Sequence, residues 1–384
     1  MRRVSVLGAS GSIGQQTLSL LAAYPGRYRV VGLSVHRRIE ALSEWVSLFS
    51  PEWVAVTDAE ALSEARSRWG QRVMVLSEKE FYSHLESDPG DIVVNGIVGS
   101  VGFWASWHTL QHPTAVLALA NKESLVFGGK WLAPLRERIL PVDSEHSAVF
   151  QCLQGENTES IEKLILTASG GPFRGKKTED LRLITPEQAL RHPVWKMGSR
   201  ITIDSSTLMN KALELIEAYW LFAVPQEKIE VWIHPECIIH SLVLFHDGSM
   251  KAQLSLPDMR LPILYALSYP SRVSFRQERC KLPEVGGLHF ESVDESTFPS
   301  LRFAREALQR GGSAPALLNA ADEVIVEAFL KGQISFLEIF DWLEWTLSQP
   351  EAFLDPENPV LLAEVEKEFR QKLRVHLRLS VHAG

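Results

Sequence analysis

The chain has 384 residues, more than one ordinary domain holds and enough for two or three. Hydrophobic residues make up 45% and charged residues 22%, which excludes intrinsic disorder. The net charge of −8 argues against a general nucleic-acid binder, which needs a basic face to displace counterions.

Residues 1–142 alternate short apolar runs with helical stretches. The runs are Val4–Leu7, Val30–Val35, Trp53–Val56, Val73–Leu76, Ile92–Val94, Ala115–Leu119 and Ile139–Val142. Short runs of Val, Ile and Leu suit strands buried on both faces of a parallel sheet. Strand-then-helix repetition predicts an α/β, Rossmann-like doubly wound domain over 1–142. Residues 143–270 follow as an α+β unit with dense polar punctuation. Residues 271–298, beginning just after Pro270 and holding Pro283, Gly286 and Gly287, read as a linker. Residues 299–384 read as a C-terminal helical bundle.

The first strand runs into Gly8-Ala9-Ser10-Gly11-Ser12-Ile13-Gly14, then a helix carrying Leu18 and Leu21. Glycines there permit a tight turn and let backbone N–H groups approach a pyrophosphate at the helix N-terminus. The spacing is G-x-x-G-x-x-G, and a tight turn without a ligand is the alternative. The second strand ends in His36-Arg37-Arg38. An acid there would repel a 2′-phosphate, whereas Arg37 and Arg38 bind one through forked, charge-assisted hydrogen bonds, so NADPH is expected over NADH. The alternative for both arginines is a solvated helix start. Later strand ends carry Asn95-Gly96, Asn121-Lys122-Glu123 and Asp143-Ser144-Glu145-His146, at the edge where open α/β sheets bind ligands.

Asp143 and Glu145 are two apart, which in extended chain points both to one side. Two such carboxylates repel unless a proton or a cation intervenes. Further on, Asp204-Ser205-Ser206-Thr207 reads as the N-cap region of a helix on which Asn210, Lys211 and Glu214 share a face. Three carboxylates, Asp143, Glu145 and Glu214, suit a hard ion such as Mg²⁺ or Mn²⁺ rather than zinc. Between these segments, residues 169–199 read as a lid. It opens on Ser169-Gly170-Gly171 and holds His192, Trp195, Lys196 and Met197. Core packing is the alternative for Trp195.

These blocks together closely resemble the 1-deoxy-D-xylulose 5-phosphate reductoisomerase family, enzymes of the methylerythritol phosphate route to isoprenoid precursors. The resemblance runs from Val4 to about Ile339. It rests on Gly8–Gly14, Leu119–Val126, Val142–Gly155, Ser169–Arg174, His192–Ser199, Asp204–Phe222, His234–Ser241, Pro257–Ile263 and Leu318–Phe329. The resemblance implies an NADPH-dependent rearrangement and reduction of a ketose phosphate with Mg²⁺, Mn²⁺ or Co²⁺. It implies that Asp143, Glu145 and Glu214 bind the metal, and that Ser169, Ser205, Asn210 and Lys211 hold the substrate phosphate. Ser144 and His192 match polar substrate contacts, and Trp195 and Met197 match flap residues. Gly8, Ala9, Ser10, Gly11, Ser12, Ile13, Asn121 and Glu123 match cofactor contacts. Lys122 matches a residue at the cofactor–substrate junction, and Lys122, Glu145 and His192 are the implied catalytic groups. The resemblance also implies a homodimer.

The sequence departs from the family pattern at Ser10 (usually Thr), at His36-Arg37-Arg38, at Glu236 and Cys237 (usually Gln and Ser), and at Asp322 (usually Asn). A different metal- and NADPH-dependent reductase and a non-catalytic NADPH sensor are the two rival readings. The retained phosphate-site residues argue against the first, and the retained acids and Lys211 against the second. Cys152, Cys237 and Cys280 form no C-x-x-C and no even set, so a reducing compartment without structural disulfides is expected. The N-terminus has no long apolar stretch, and no run approaches a membrane span, so the expected location is cytoplasmic, with neither membrane nor nucleic acid as partner.

Overall fold

The seven apolar runs of the N-terminal region are strands of a single parallel sheet. In a computed structural model, which describes residues 1–191 and 198–379, these are β1 (Arg2–Leu7), β2 (Tyr28–Val35), β3 (Trp53–Val56), β4 (Met74–Leu76), β5 (Ile92–Asn95), β6 (Val116–Leu119) and β7 (Ile139–Pro141). Their order is β4-β3-β2-β1-β5-β6-β7, and every neighbouring pair is parallel. Val4, Val6, Leu33, Val54, Val93 and Leu117 are fully buried, which is why these strands read as continuous apolar runs. The strand order reverses between β1 and β5, the crevice where doubly wound sheets bind ligands.

The connecting helices carry local start signals. Asp58 caps Ala59–Trp69 by accepting the Ala61 N–H, and Ser77 with Glu80 forms a capping box on Glu78–Ser87. By contact, the first unit comprises Met1–Ser124, Leu132–Ser147 and Asp258–Gln277. The last segment returns from far along the chain with the helix Arg260–Ser268, most of it buried. Arg2 donates to the Leu267 and Tyr269 carbonyls at 3.0 and 2.8 Å, and the Tyr24 hydroxyl donates to the Ser274 carbonyl at 2.7 Å.

The second unit comprises Leu125–Trp131, Ala148–Pro257 and Glu278–Gly384. Its sheet is formed by β8 (Ile161–Ala168), β9 (Ile229–Ile233), β10 (Ile239–Phe245), β11 (Met250–Leu254) and β12 (Glu291–Ser292), in the order β11-β10-β8-β9-β12. Only β8 and β9 pair in parallel. The helices Ser199–Ser206 and Met209–Phe222 lie between β8 and β9, and Ser300–Arg310, Ala314–Leu330, Glu338–Ser348 and Pro359–His376 form the C-terminal bundle. Phe336 packs between Phe329 and Phe340, with ring centroids 5.8 and 5.9 Å away. Phe173, four residues after Ser169, packs edge-on against the same ring at 5.2 Å and ties that loop to the bundle. Among the described residues no helix is long and apolar enough to cross a membrane, and the three cysteines form no disulfide with one another.

Candidate active site

The glycine loop has the shape an anion needs. Gly8 has φ +70°, and a Cβ there would lie 2.7 Å from the Gly96 carbonyl oxygen. A Cβ on Gly14 would lie 2.5 Å from both Ala9 Cα and the Gly8 carbonyl oxygen, so the loop backbone and the helix meet with no room for a side chain. The Gly8 N–H donates to Ser34 Oγ at 3.1 Å and the Ala9 N–H to the Ser34 carbonyl at 2.8 Å. Ser34, buried in β2, therefore fixes the loop. Sequence reasoning passed over it; the signal was a lone hydroxyl in the otherwise apolar run Val30–Val35. The helix Ser12–Ala23 starts at Gly11 with no side-chain cap and no acid in its first turn. Its N-terminal N–H groups and positive dipole end thus suit a phosphate.

Arg38 donates to the Ser10 carbonyl at 3.1 Å, which brings Arg38 to the same loop. Arg37 lies 2.7 Å from Asp58. The Ala61 N–H and the Arg37 guanidinium hold the Asp58 carboxyl below the usual carboxylate range. His36 Nδ1 is 2.9 Å from Thr57 Oγ1.

Past β6, Asn121 donates to the Gly99 carbonyl and to Glu123, each at 3.0 Å, and Glu123 accepts the Gly99 N–H at 3.2 Å. This ties the loops after β5 and β6 together beside the glycine loop. Lys122 is buried and lies 2.8 Å from Asp143, which follows β7. The chain turns helical immediately, because Ser144–Cys152 is a helix. Asp143 and Glu145 are therefore not alternate residues of extended chain. Asp143 precedes the helix, accepting the Glu145 N–H at 3.3 Å, and Glu145 stands in its first turn, where an acid complements the dipole. Ser144 Oγ donates to Glu145 at 2.6 Å.

In the second unit, Glu214 is buried on the helix Met209–Phe222. Asn210 donates to one of its carboxylate oxygens at 2.6 Å, and Lys211 Nζ holds the other. The shared face of Asn210, Lys211 and Glu214 is thus as their spacing requires. The helix start is not. Asp204, Ser205 and Ser206 are the last turn of Ser199–Ser206, and the N-cap of the next helix is Leu208, in a left-handed turn at φ +61°. Thr207 Oγ1 still accepts the Met209 N–H at 3.3 Å. Ser169 Oγ accepts the Gly171 N–H at 3.2 Å, and a Cβ on Gly171 would lie 2.5 Å from the Ser205 carbonyl oxygen. The Ser169 turn and Ser205 therefore sit against each other. His192, Trp195 and Met197 lie outside the described residues.

A family model for 1-deoxy-D-xylulose 5-phosphate reductoisomerase matches residues 4–129, and models of the C-terminal domains of these enzymes match 139–222 and 254–372. The 1-deoxy-D-xylulose 5-phosphate reductoisomerase of Geobacillus sp. (strain WCH70) is 45% identical over 380 residues, 97% of this chain and 99% of that protein. The chain belongs to the 1-deoxy-D-xylulose 5-phosphate reductoisomerase family. The Geobacillus kaustophilus member of this family is 47% identical over 363 residues, 93% of this chain and 95% of that protein. Among solved reductoisomerases, the Zymomonas mobilis enzyme in complex with NADPH is 36% identical with a TM-score of 0.90, covering 98% of this chain and 99% of its own. Another, in complex with NADPH, fosmidomycin and magnesium, is 35% identical with a TM-score of 0.89, covering 98% of each chain.

Proposed function

We propose that this chain is an NADPH- and divalent-metal-dependent oxidoreductase. It converts 1-deoxy-D-xylulose 5-phosphate to 2-C-methyl-D-erythritol 4-phosphate in the methylerythritol phosphate route. The reading is carried by one co-location: the glycine cradle and the Lys122–Asp143 pair stand at one sheet edge of a reductoisomerase-family chain. The uncapped helix start after Gly8–Ile13 fits a pyrophosphate, and Asn121 and Glu123 border it. The donor set Asp143, Glu145 and Glu214 consists of hard carboxylate oxygens, which fit Mg²⁺, Mn²⁺ or Co²⁺. Once bound, the ion supplies Lewis acidity to the ketose oxygens, and NADPH supplies the hydride that reduces the rearranged aldehyde.

The chain's own groups position and balance charge. Lys122 against Asp143 and Lys211 against Glu214 each place one cation beside a proposed metal ligand. Ser169, Ser205, Asn210 and Lys211 hold the substrate phosphate through hydroxyl and amide donors and one cation. Ser144 and His192 contact the substrate, Lys122, Glu145 and His192 serve the reacting end, and Trp195 and Met197 cover it and exclude water. In this scheme 1–142 binds cofactor, 143–270 carries the chemistry with its flap at 169–199, 271–298 links, and 299–384 supports. The working form is a cytoplasmic homodimer.

The direct test is NADPH oxidation with 1-deoxy-D-xylulose 5-phosphate, with and without Mg²⁺. Metal-dependent oxidation is expected, and no oxidation with substrate and Mg²⁺ both present would remove the reading. Cofactor choice is tested separately. With Arg37 and Arg38 both replaced by Ala, kcat/KM for NADPH should fall by about tenfold to a hundredfold, as loss of charge-assisted hydrogen bonds implies, while NADH kinetics stay put. Equal losses for both cofactors would assign the arginines to structure alone.

A further inference from the structure

One acid stands beside the arginines that follow β2, although no acid follows β2 itself. The end of β3 brings it there. Val56 pairs with Val35, the Thr57 N–H donates to the Val35 carbonyl at 3.2 Å, and the Asp58 N–H donates to the His36 carbonyl at 3.2 Å. Main chain alone therefore fixes Asp58, whose side chain is only 11% exposed. Its two carboxylate oxygens serve different groups. Oδ1 accepts the Ala61 N–H at 3.0 Å and so caps the helix Ala59–Trp69. Oδ2, which the cap does not use, accepts the Arg37 Nε–H at 2.7 Å. All these groups lie within the first unit.

Which nitrogen Arg37 gives to Asp58 matters. The contact takes Nε, and among the described residues the terminal nitrogens of Arg37 make no hydrogen bond. Those terminal nitrogens form the planar fork that grips a phosphate through parallel bonds. The Arg37 side chain is 70% exposed, and an arginine so placed would sample many rotamers if nothing held it. Fixing Nε removes most of that freedom and leaves the fork available. Charge acts in the opposite sense, since Asp58 offsets part of the Arg37 field. Water screens that repulsion for a phosphate on the exposed side of the guanidinium, whereas the gain from ordering the side chain is not screened. Arg38 is held differently. It donates to the Ser10 carbonyl and forms no ion pair among the described residues, so its charge is not offset.

We propose that Asp58 is a positioning residue that sets cofactor specificity: it holds Arg37 by Nε, keeps the terminal nitrogens open to the 2′-phosphate, and so strengthens the preference for NADPH over NADH. This rests on the reading of Arg37 as a 2′-phosphate contact. An acid directly after β2 would meet the 2′-phosphate and repel it. Moved to the end of β3, with a guanidinium in between, the same charge orients the group that binds it. NADH lacks that phosphate and gains nothing from the oriented fork.

Asp58→Asn tests this. The amide oxygen still accepts the Ala61 N–H and keeps the helix cap, while the amide nitrogen faces Arg37 Nε–H donor to donor. Asp58→Ser, which also caps but is too short to reach Arg37, serves if the first variant folds poorly. The ratio of kcat/KM for NADPH to that for NADH should fall by about threefold to tenfold, the range that ordering one long side chain implies, and should do so through KM for NADPH rather than kcat. Calorimetric titration with adenosine 2′,5′-bisphosphate should show the same loss of affinity, and titration with adenosine 5′-monophosphate none. In an Arg37→Ala background the Asp58 substitution should add nothing to either measurement. An unchanged ratio with unchanged bisphosphate affinity would confine Asp58 to helix capping and overturn the proposal. Tighter bisphosphate binding would overturn it too, by making Asp58 a competitor for Arg37. Arg37→Ala alone tells the two premises apart. If it leaves the ratio unchanged, the phosphate reading of Arg37 has failed and takes the proposal with it. If it lowers the ratio while Asp58→Asn does not, the positioning role alone has failed.

Discussion

Glu214→Gln should leave an enzyme that binds NADPH normally yet turns over about a hundredfold more slowly, or worse, at ordinary Mg²⁺ concentrations. Changing groups that merely support metal ligands typically costs about 10–100-fold, and losing a charged ligand costs at least as much. The substitution keeps the oxygen that accepts from Asn210 and removes the charge that Lys211 faces. Lys211 is itself buried, so breaking that pair should also lower stability by about 3–5 kcal/mol. Thermal melts, Mn²⁺ titration calorimetry and steady-state kinetics well below the melting point keep these effects apart. Wild-type metal affinity with wild-type turnover would remove Glu214 from the metal site. Lost turnover with unchanged metal affinity would keep its importance but place it outside the coordination sphere.

Gly14→Ala should weaken NADPH binding by about tenfold, close to 1.4 kcal/mol, and lower stability by about 1–3 kcal/mol. The added Cβ would meet the Ala9 Cα and Gly8 carbonyl at 2.5 Å, and both are backbone atoms that cannot swing aside. Relief requires moving the helix Ser12–Ala23 away from the loop whose N–H groups it presents. The cofactor therefore loses its cradle and the sheet loses packing in one step. NADPH fluorescence titration and melting with and without NADPH measure both. A variant with native cofactor affinity would show that the loop relaxes without cost and that the close approach at Gly14 serves packing only.

The first sheet was legible because its strands, the edge strand β4 apart, are largely buried on both faces, so each announces itself as an apolar run. The second sheet was not legible in the same way. Its strand β11 is half exposed, β12 spans two residues, and its pairings are mixed, so no uniform pattern marks it. The helix face of Asn210, Lys211 and Glu214 follows from local spacing and was readable. The Asp204–Thr207 cluster misled because Ser, Thr and Asp favour N-caps; here those residues close one helix, and Leu208 makes the turn into the next. The strand-end geometry of Asp143 and Glu145 misled because the strand stops at Pro141 and a helix begins at Ser144, so Glu145 already stands in a helical turn. The contacts of Arg200 with Asn319, Asp322 and Glu323 were invisible for a different reason. They join residues more than a hundred positions apart, a separation to which no periodicity is sensitive.

The return of Asp258–Gln277 to the first unit has a consequence for biosynthesis. Arg2 and Tyr24 find their partners at Leu267, Tyr269 and Ser274, so the opening strand and helix wait on residues made much later. On the ribosome, the parallel sheet can assemble from its own strands once β7 has emerged. Its outer covering arrives only after about half of the second unit has been synthesised. A nascent chain stalled near residue 147 should therefore expose apolar surface that the helix Arg260–Ser268 normally shields, and be held by chaperones. One released beyond residue 277 should not.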